Sequence, residues 1–181
     1  MSERTSQMTS TIRPVIVLVT ICTIAGILLG LVHNVTQPIA DANAAKKAQE
    51  TYEKLMPGVA SFEELPCSVE GCTAALRALD EDGDSMGTII VAQSKGYGGQ
   101  VPIAVAFDET GTVSNITTMP NDETPGLGTK IADDSYIGQY VGLSPDPITA
   151  NDIDLISGAT ISSKAALAAF NIAVEAYEEV C

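Results

Sequence analysis

The chain reads as an α+β protein: a single N-terminal transmembrane helix, then a small domain with an antiparallel-rich sheet and flanking helices. Three observations predict this. Pro14 to Val32 (PVIVLVTICTIAGILLGLV) is apolar throughout, and no charge occurs between Arg13 and Asp41. Residues 86–118 hold successive β-branched or alternating segments separated by turn residues. Segments rich in helix formers lie on either side of that strand region.

The anchor comes first. Nineteen residues at the α-helical rise give roughly 28 Å, enough to cross a bilayer core. Ala40-Asp-Ala42 mimics a signal cleavage site, but signal h-regions run about 7–15 residues, so a retained anchor is expected. Arg4 and Arg13 flank its N-terminal side, whereas the other flank has no positive charge before Lys46. The positive-inside rule then predicts a cytoplasmic N-terminus (1–13), an anchor (14–33), a helical connection (34–58) and an extracytoplasmic domain (59–181).

Residues 41–181 hold 22 of the 23 acidic residues and seven basic ones, a charge of −15. Phosphate backbones would be repelled, which excludes nucleic acid as a partner. Apolar residues make up 45% of the chain, enough to build a core despite the acidity. One histidine and four cysteines without a C-x-x-C pair give no metal site. Cys22 reads as a small apolar packing residue and Cys181 as a free thiol. Cys67 and Cys72 are expected to close a short disulfide loop if the domain is exported.

Asp41 to Met56 (DANAAKKAQETYEKLM) has helical composition, and Pro57-Gly58 ends it. Residues 59–73, with Pro66 and two cysteines, read as an irregular connection. Met86–Gln93 and Val101–Phe107 read as strands, and Asp108-Glu-Thr-Gly111 as the turn into a third at Thr112–Thr118. Pro102 points to an edge position or a strand start. Helices are expected over Lys130–Tyr140 and from about Ile161 to Glu179.

Three polar stretches carry the candidate chemistry. Gly96-Tyr-Gly-Gly99 joins two strands and in isolation is a turn. In Glu123-Thr-Pro-Gly-Leu-Gly128, Pro125 and two glycines fix an exposed backbone that can lie against a flat ligand. Leu127 offers it an apolar contact and Thr124 a hydroxyl. Ser157-Gly-Ala-Thr160 opens the last helix: Ser157 can cap it, and Gly158 allows close backbone approach. Unpaired N–H groups and the helix dipole there favour an anion, although the same residues also serve an ordinary helix start.

Asp154-x-x-Ser-Gly-Ala-Thr160 followed by Ser162-Ser163 resembles the attachment motif of the FMN-binding domain family, whose flavin is joined through its phosphate to the last threonine. That domain occurs in the G subunit of the Rnf complex and in the C subunit of the sodium-translocating NADH:quinone reductase. The two glycine-bearing stretches resemble the same family and stand in the same order. In length the chain resembles the compact Rnf protein more than the longer quinone reductase one.

The resemblance implies that Thr160 is a phosphoester-modified residue with no catalytic proton transfer. Ser157, Gly158 and Ala159 would shape the phosphate end, and Glu123, Thr124, Leu127 and Gly128 would lie near the flavin. Tyr136-Ile-Gly-Gln-Tyr140 is similar to the family's aromatic-x-x-Gln-aromatic segment, although the chain has no Trp and Pro145-Asp-Pro147 has no counterpart. The implied function is electron transfer through covalent FMN in a membrane-bound, ion-translocating ferredoxin:NAD oxidoreductase complex. The implied partners are the other subunits of that complex and an FAD-dependent flavin transferase; no complete reaction is expected from this chain alone. A free-standing extracytoplasmic flavoprotein reductase and an anchored, non-redox binding module are the other readings.

Overall fold

A computed structural model describes residues 2–181, with side chains at 14–33, 36–37 and 43–181. Contacts divide the chain into two units between Lys47 and Ala48. The first unit is the N-terminal part of α1 (Ser2–Leu55). Within it, Pro14–His33 has a mean hydropathy of 2.9, is long and apolar enough to cross a membrane, and buries none of that stretch against protein. Near α1's end Tyr52, Leu55 and Met56 turn inward, before Pro57 and Gly58 stop the helix.

The second unit is built on a five-stranded antiparallel meander in the order β1-β2-β3-β4-β5. Its strands are β1 (Ser61–Leu65), β2 (Cys72–Leu79), β3 (Ser85–Lys95), β4 (Gln100–Phe107) and β5 (Val113–Thr118). Alternation along β3 and β4 divides their side chains between two faces. Ile89, Val91, Ala104 and Ala106 face the end of α1. Ile90, Ala92, Val101, Ile103, Val105 and Phe107 face α3 (Thr160–Val180). On α3, Ala165, Ala166, Ala169, Phe170, Ala173 and Val174 are buried at helical spacing. Asp108 holds the β4–β5 turn, its Oδ1 accepting the Thr110 and Thr112 N–H groups at 2.8 and 3.0 Å.

Two strands lie where the sequence predicts none. β1 (SFEEL) occupies the stretch read as an irregular connection; it is an edge strand with both glutamates exposed, so its polarity imitates a loop. β2 (CTAALRAL) has the composition of a helix. Pairing with β1 on one side and β3 on the other overrides that preference.

The helix expected over Lys130–Tyr140 is instead broken into three turns. A 3-10 turn at Gly128–Ala132 is followed by α2 (Asp134–Ile137) and a second 3-10 turn at Gly138–Tyr140. Asp133, extended at φ −69° and ψ 138°, interrupts the first two. The break lets Ile131, Tyr136 and Tyr140 all reach the core.

Pro102 stands third in β4, within the sheet rather than at its edge. Pairing with β5 begins only at Ile103–Thr118. The Pro102 carbonyl accepts the Met119 N–H at 2.9 Å on that side. Carbonyl and nitrogen of one strand residue face the same neighbour, so the missing N–H falls where β5 has ended. The edge character is local.

All four cysteines are thiols. Cys67 and Cys72, expected as a disulfide, lie side by side unbonded.

Candidate functional site

The site forms where three loops meet the start of α3. The chain enters that helix through a turn closed by Ala159 N–H donating to Ile156 O at 3.0 Å, with Gly158 at φ +82°. The turn places Ser157 at an exposed corner, and it does not cap the helix as the sequence predicts. The N-cap is Ala159, which has no side chain able to accept from the first turn. Ser163 secures this junction instead. Its hydroxyl accepts the Ile156 N–H at 3.2 Å and donates to Ala159 O at 3.0 Å.

Helix geometry leaves the N–H groups of Thr160, Ile161 and Ser162 without a carbonyl four residues back. They form the positive end of a 21-residue helix. Thr160 is exposed there, beside a cleft of about 480 Å³. Gly158, Ala159, Thr160, Ile161 and Ser162 form one wall; Thr124, Leu127 and Gly128 form a second, and Tyr97 a third. Tyr97, Ile161 and Leu127 are 72%, 56% and 43% exposed. Three large side chains around one polar helix end give the mixed lining of a site for a flat, anionic ligand.

The 124 loop is wound tightly under its own carbonyl. Thr124 O accepts the N–H groups of Leu127 and Gly128 at 3.1 and 2.9 Å, and Thr129 Oγ1 accepts that of Gly126 at 2.9 Å. Glu123, just before it, is only 3% exposed and lies behind the lining. One carboxylate oxygen accepts the Gly98 N–H at 2.9 Å and the other the Ser162 hydroxyl. A single buried carboxylate thus joins the Gly-Tyr-Gly-Gly turn, the 124 loop and α3.

Burial would raise the pKa of Glu123. The hydrogen bonds from Ser162 and from the backbone of Gly98, Tyr97 and Gly99 outweigh it and hold the carboxyl below its usual range. A Cβ at Gly128 would stand 2.7 Å from Glu123 Oε2 and 2.9 Å from Ser162 Oγ, so the junction needs glycine there.

A second set of contacts holds the approach to α3. Gln139 Oε1 accepts the Asp154 N–H at 2.6 Å, and Gln139 Nε2 donates to Asp154 O at 3.3 Å and Tyr136 O at 3.2 Å. Tyr136 donates its hydroxyl to Ser163 O at 2.8 Å and lies 2.9 Å from the Tyr140 hydroxyl. Burial raises the pKa of both phenols, so both stay neutral. The aromatic-x-x-Gln-aromatic segment therefore supports the entry to α3 from behind and does not line the cleft.

Of the residues expected at the site, Thr124, Leu127, Gly128, Gly158, Ala159 and Thr160 meet at the cleft. Glu123 stands behind it and Ser157 outside the lining. Tyr97, Ile161 and Ser162 also line it, although the sequence reading assigns them no site role. Tyr97 lies within the Gly-Tyr-Gly-Gly turn and Ser162 directly after the Ser-Gly-Ala-Thr stretch, which was the available signal.

The FMN-binding domain family matches residues 96–175, a span containing all three motifs. The G subunit of the proton-translocating ferredoxin:NAD(+) oxidoreductase complex of Clostridium ljungdahlii is 29% identical over 161 residues, covering 85% of this chain and 84% of that protein. The G subunit of the ion-translocating oxidoreductase complex of Methanosarcina acetivorans is 29% identical over 171 residues, covering 89% and 91%. The crystal structure of Shewanella oneidensis NqrC is 16% identical, with a TM-score of 0.48 over 68% of this chain and 70% of that one. Over residues 96–175 the chain is similar to the FMN-binding domain family, and over most of its length it resembles the G subunits of ion-translocating oxidoreductase complexes.

Proposed function

We propose that this chain is the FMN-carrying electron-transfer subunit of a membrane-bound, ion-translocating ferredoxin:NAD oxidoreductase complex, with the flavin phosphate esterified to the Thr160 hydroxyl. The observation that carries the reading is Thr160 itself. It is an exposed hydroxyl at the free N–H end of α3, in a cleft bordered by Tyr97, Leu127 and Ile161. The residues present fit the group, since the helix end complements a phosphate and the exposed side chains complement a planar ring.

Bound FMN supplies one-electron exchange with neighbouring centres, and the chain supplies position and environment. The N–H groups of Thr160, Ile161 and Ser162 would hold the phosphodiester charge. Tyr97, Leu127 and Ile161 would cover apolar ring surface, and Thr124 would offer its hydroxyl to a polar edge. Glu123 acts through Ser162 and Gly98 by fixing the three walls relative to one another.

A covalent tether prevents loss of the cofactor on the extracytoplasmic side, where the charge flanking the anchor directs the domain. Maturation then needs a flavin transferase that uses FAD. The two relatives are each part of an oxidoreductase complex, and this chain's partners are the corresponding membrane subunits.

The test is intact-mass spectrometry of full-length protein co-expressed with a flavin transferase, beside Thr160→Ala. The expected result is a gain of one FMN less water in wild type and none in the variant, with in-gel flavin fluorescence following the same pattern. Unmodified wild type, under conditions that flavinylate a control substrate, overturns the proposal.

A further inference from the structure

The β1–β2 connection holds a feature that shares no residue with the cleft's lining. Cys67 and Cys72 flank the loop Ser68-Val-Glu-Gly71, and their side chains lie within hydrogen-bonding reach of one another. The loop is already folded back. Cys72 N–H donates to Val69 O at 3.1 Å, and Gly71 O accepts the Gln93 N–H at 2.8 Å. Gly71 is at φ +93°, and a Cβ there would stand 2.9 Å from both Gln93 O and Ile172 Cδ1. The return of the chain is therefore set by backbone packing and does not depend on a bond between the sulfurs.

Each thiol also has an acceptor of its own. Cys67 Sγ donates to Glu179 Oε2 at 3.9 Å, and Cys72 Sγ donates to Ala74 O at 3.8 Å. Glu179, near the C-terminal end of α3, also accepts the Ser68 N–H at 3.1–3.2 Å. Both sulfurs pack against the edge of the core while remaining partly open to solvent.

We propose that Cys67 and Cys72 are a built oxidation site, in which thiol–disulfide exchange with a small or protein disulfide converts the pair into a Cys67–Cys72 bond. Cys67 enters first. Its sulfur attacks the incoming disulfide, expels one thiolate and forms a mixed disulfide. The Cys72 sulfur then attacks Cys67 Sγ and releases the second thiolate. Two protein thiols lose two hydrogens, and the incoming disulfide is reduced to two thiols. The order follows from the surroundings. Burial, with the neighbouring Cys67, pushes the Cys72 thiol up to about 12, so it is the poorer entering nucleophile. Cys67 makes its contact to Glu179 in an exposed setting, and its proton passes to the departing thiolate.

The bond would staple an exposed edge strand to β2 beside the end of α3, in a domain whose proposed side of the membrane is oxidising. The site makes no use of the flavin cleft, so it stands or falls separately from Thr160 modification.

The test uses the full-length chain, purified reduced in detergent and equilibrated with oxidised glutathione. Quenched samples are denatured, alkylated and mapped by mass spectrometry. The expected peptide joins Cys67 to Cys72 and is lighter by two hydrogens, while Cys22 and Cys181 remain alkylated or carry glutathione. Cys72→Ser is expected to stop at glutathione on Cys67, and Cys67→Ser to leave Cys72 alkylatable. The proposal is overturned if the pair remains alkylatable at the rate of Cys181. It is equally overturned if wild type stops at the mixed disulfide, or if either cysteine bonds to Cys181 instead.

Discussion

Removing the Glu123 carboxylate tests the central argument about the site. Glu123→Ala leaves the Gly98 N–H and the Ser162 hydroxyl without their acceptor, and Ser162 is as buried as Glu123, each 3% exposed. Orphaned buried donors cost about 1–3 kcal/mol each, so about 3 kcal/mol is expected for the pair. At roughly 4 °C per kcal/mol for a domain of this size, the melting temperature falls by roughly 12 °C. Glu123→Gln keeps a neutral carbonyl for the Gly98 N–H, while its NH2 obliges the Ser162 hydroxyl to turn from donor to acceptor, and it is expected to cost about 1 kcal/mol.

The two variants also separate in acid. The folded-state pKa of Glu123 lies below its ordinary value of 4.5, so on acidification the unfolded chain takes up this proton first. Its contribution is fully present above that value and is lost as pH falls through the depressed folded one. Glu123→Gln has no such step, and the gap between it and wild type should narrow over that window. The assay is calorimetry of full-length protein in detergent across pH, with flavin content read on the same samples. A Glu123→Ala protein that melts within about 2 °C of wild type would refute the buried-carboxylate account. So would a gap to Glu123→Gln that does not change with pH.

Other substitutions probe the neighbouring contacts. Gly128→Ala places a Cβ 2.7 Å from Glu123 Oε2 and is expected to cost about 1–3 kcal/mol, with reduced flavin incorporation by mass spectrometry. Tyr97→Ala, at a residue 72% exposed, should leave stability within about 0.5 kcal/mol and alter only the fluorescence and potential of the loaded protein. Tyr136→Phe removes the donor to Ser163 O and the partner of Tyr140, and should lower stability by about 1–2 kcal/mol in thermal denaturation. Ile24→Arg, in the exposed apolar part of α1, adds about 3 kcal/mol to insertion and should increase the carbonate-extractable fraction.

How far the sequence carried the fold depended on where each segment's instructions lie. β3, β4 and β5 announce themselves by β-branched composition and alternation, and α3 by its alanine-rich stripe, because each buries a face that its own residues encode. β1 and β2 do not: one is polar at an edge and the other has helix-forming composition. Only pairing with neighbours decides their state. The broken Lys130–Tyr140 segment fails for a similar reason. Three side chains spaced five and four residues apart, Ile131, Tyr136 and Tyr140, must all reach one core, and a continuous helix does not deliver them there.

For the site, the sequence alone determined the chemistry on offer. An apolar span suited to a membrane, a threonine at the opening of a helix, and glycine-bearing stretches fit to approach a flat ligand are all local properties. Tertiary structure decided which groups face the cleft and which hold it together. Glu123 reads as a ligand-side carboxylate, yet it is buried behind the wall because its acceptors are needed by Gly98 and Ser162, residues 25 and 39 positions away. Ser157 reads as a cap, yet Ser163 closes the junction because the Gly158 turn carries Ser157 outward. Tyr97, fixed in a strand connection, lines the same cleft as Thr160 only when the meander brings that connection to the start of α3. Residue types and their spacing along the chain are local, whereas the pairing of a buried charge depends on contacts between distant segments, and those exist only in the folded molecule.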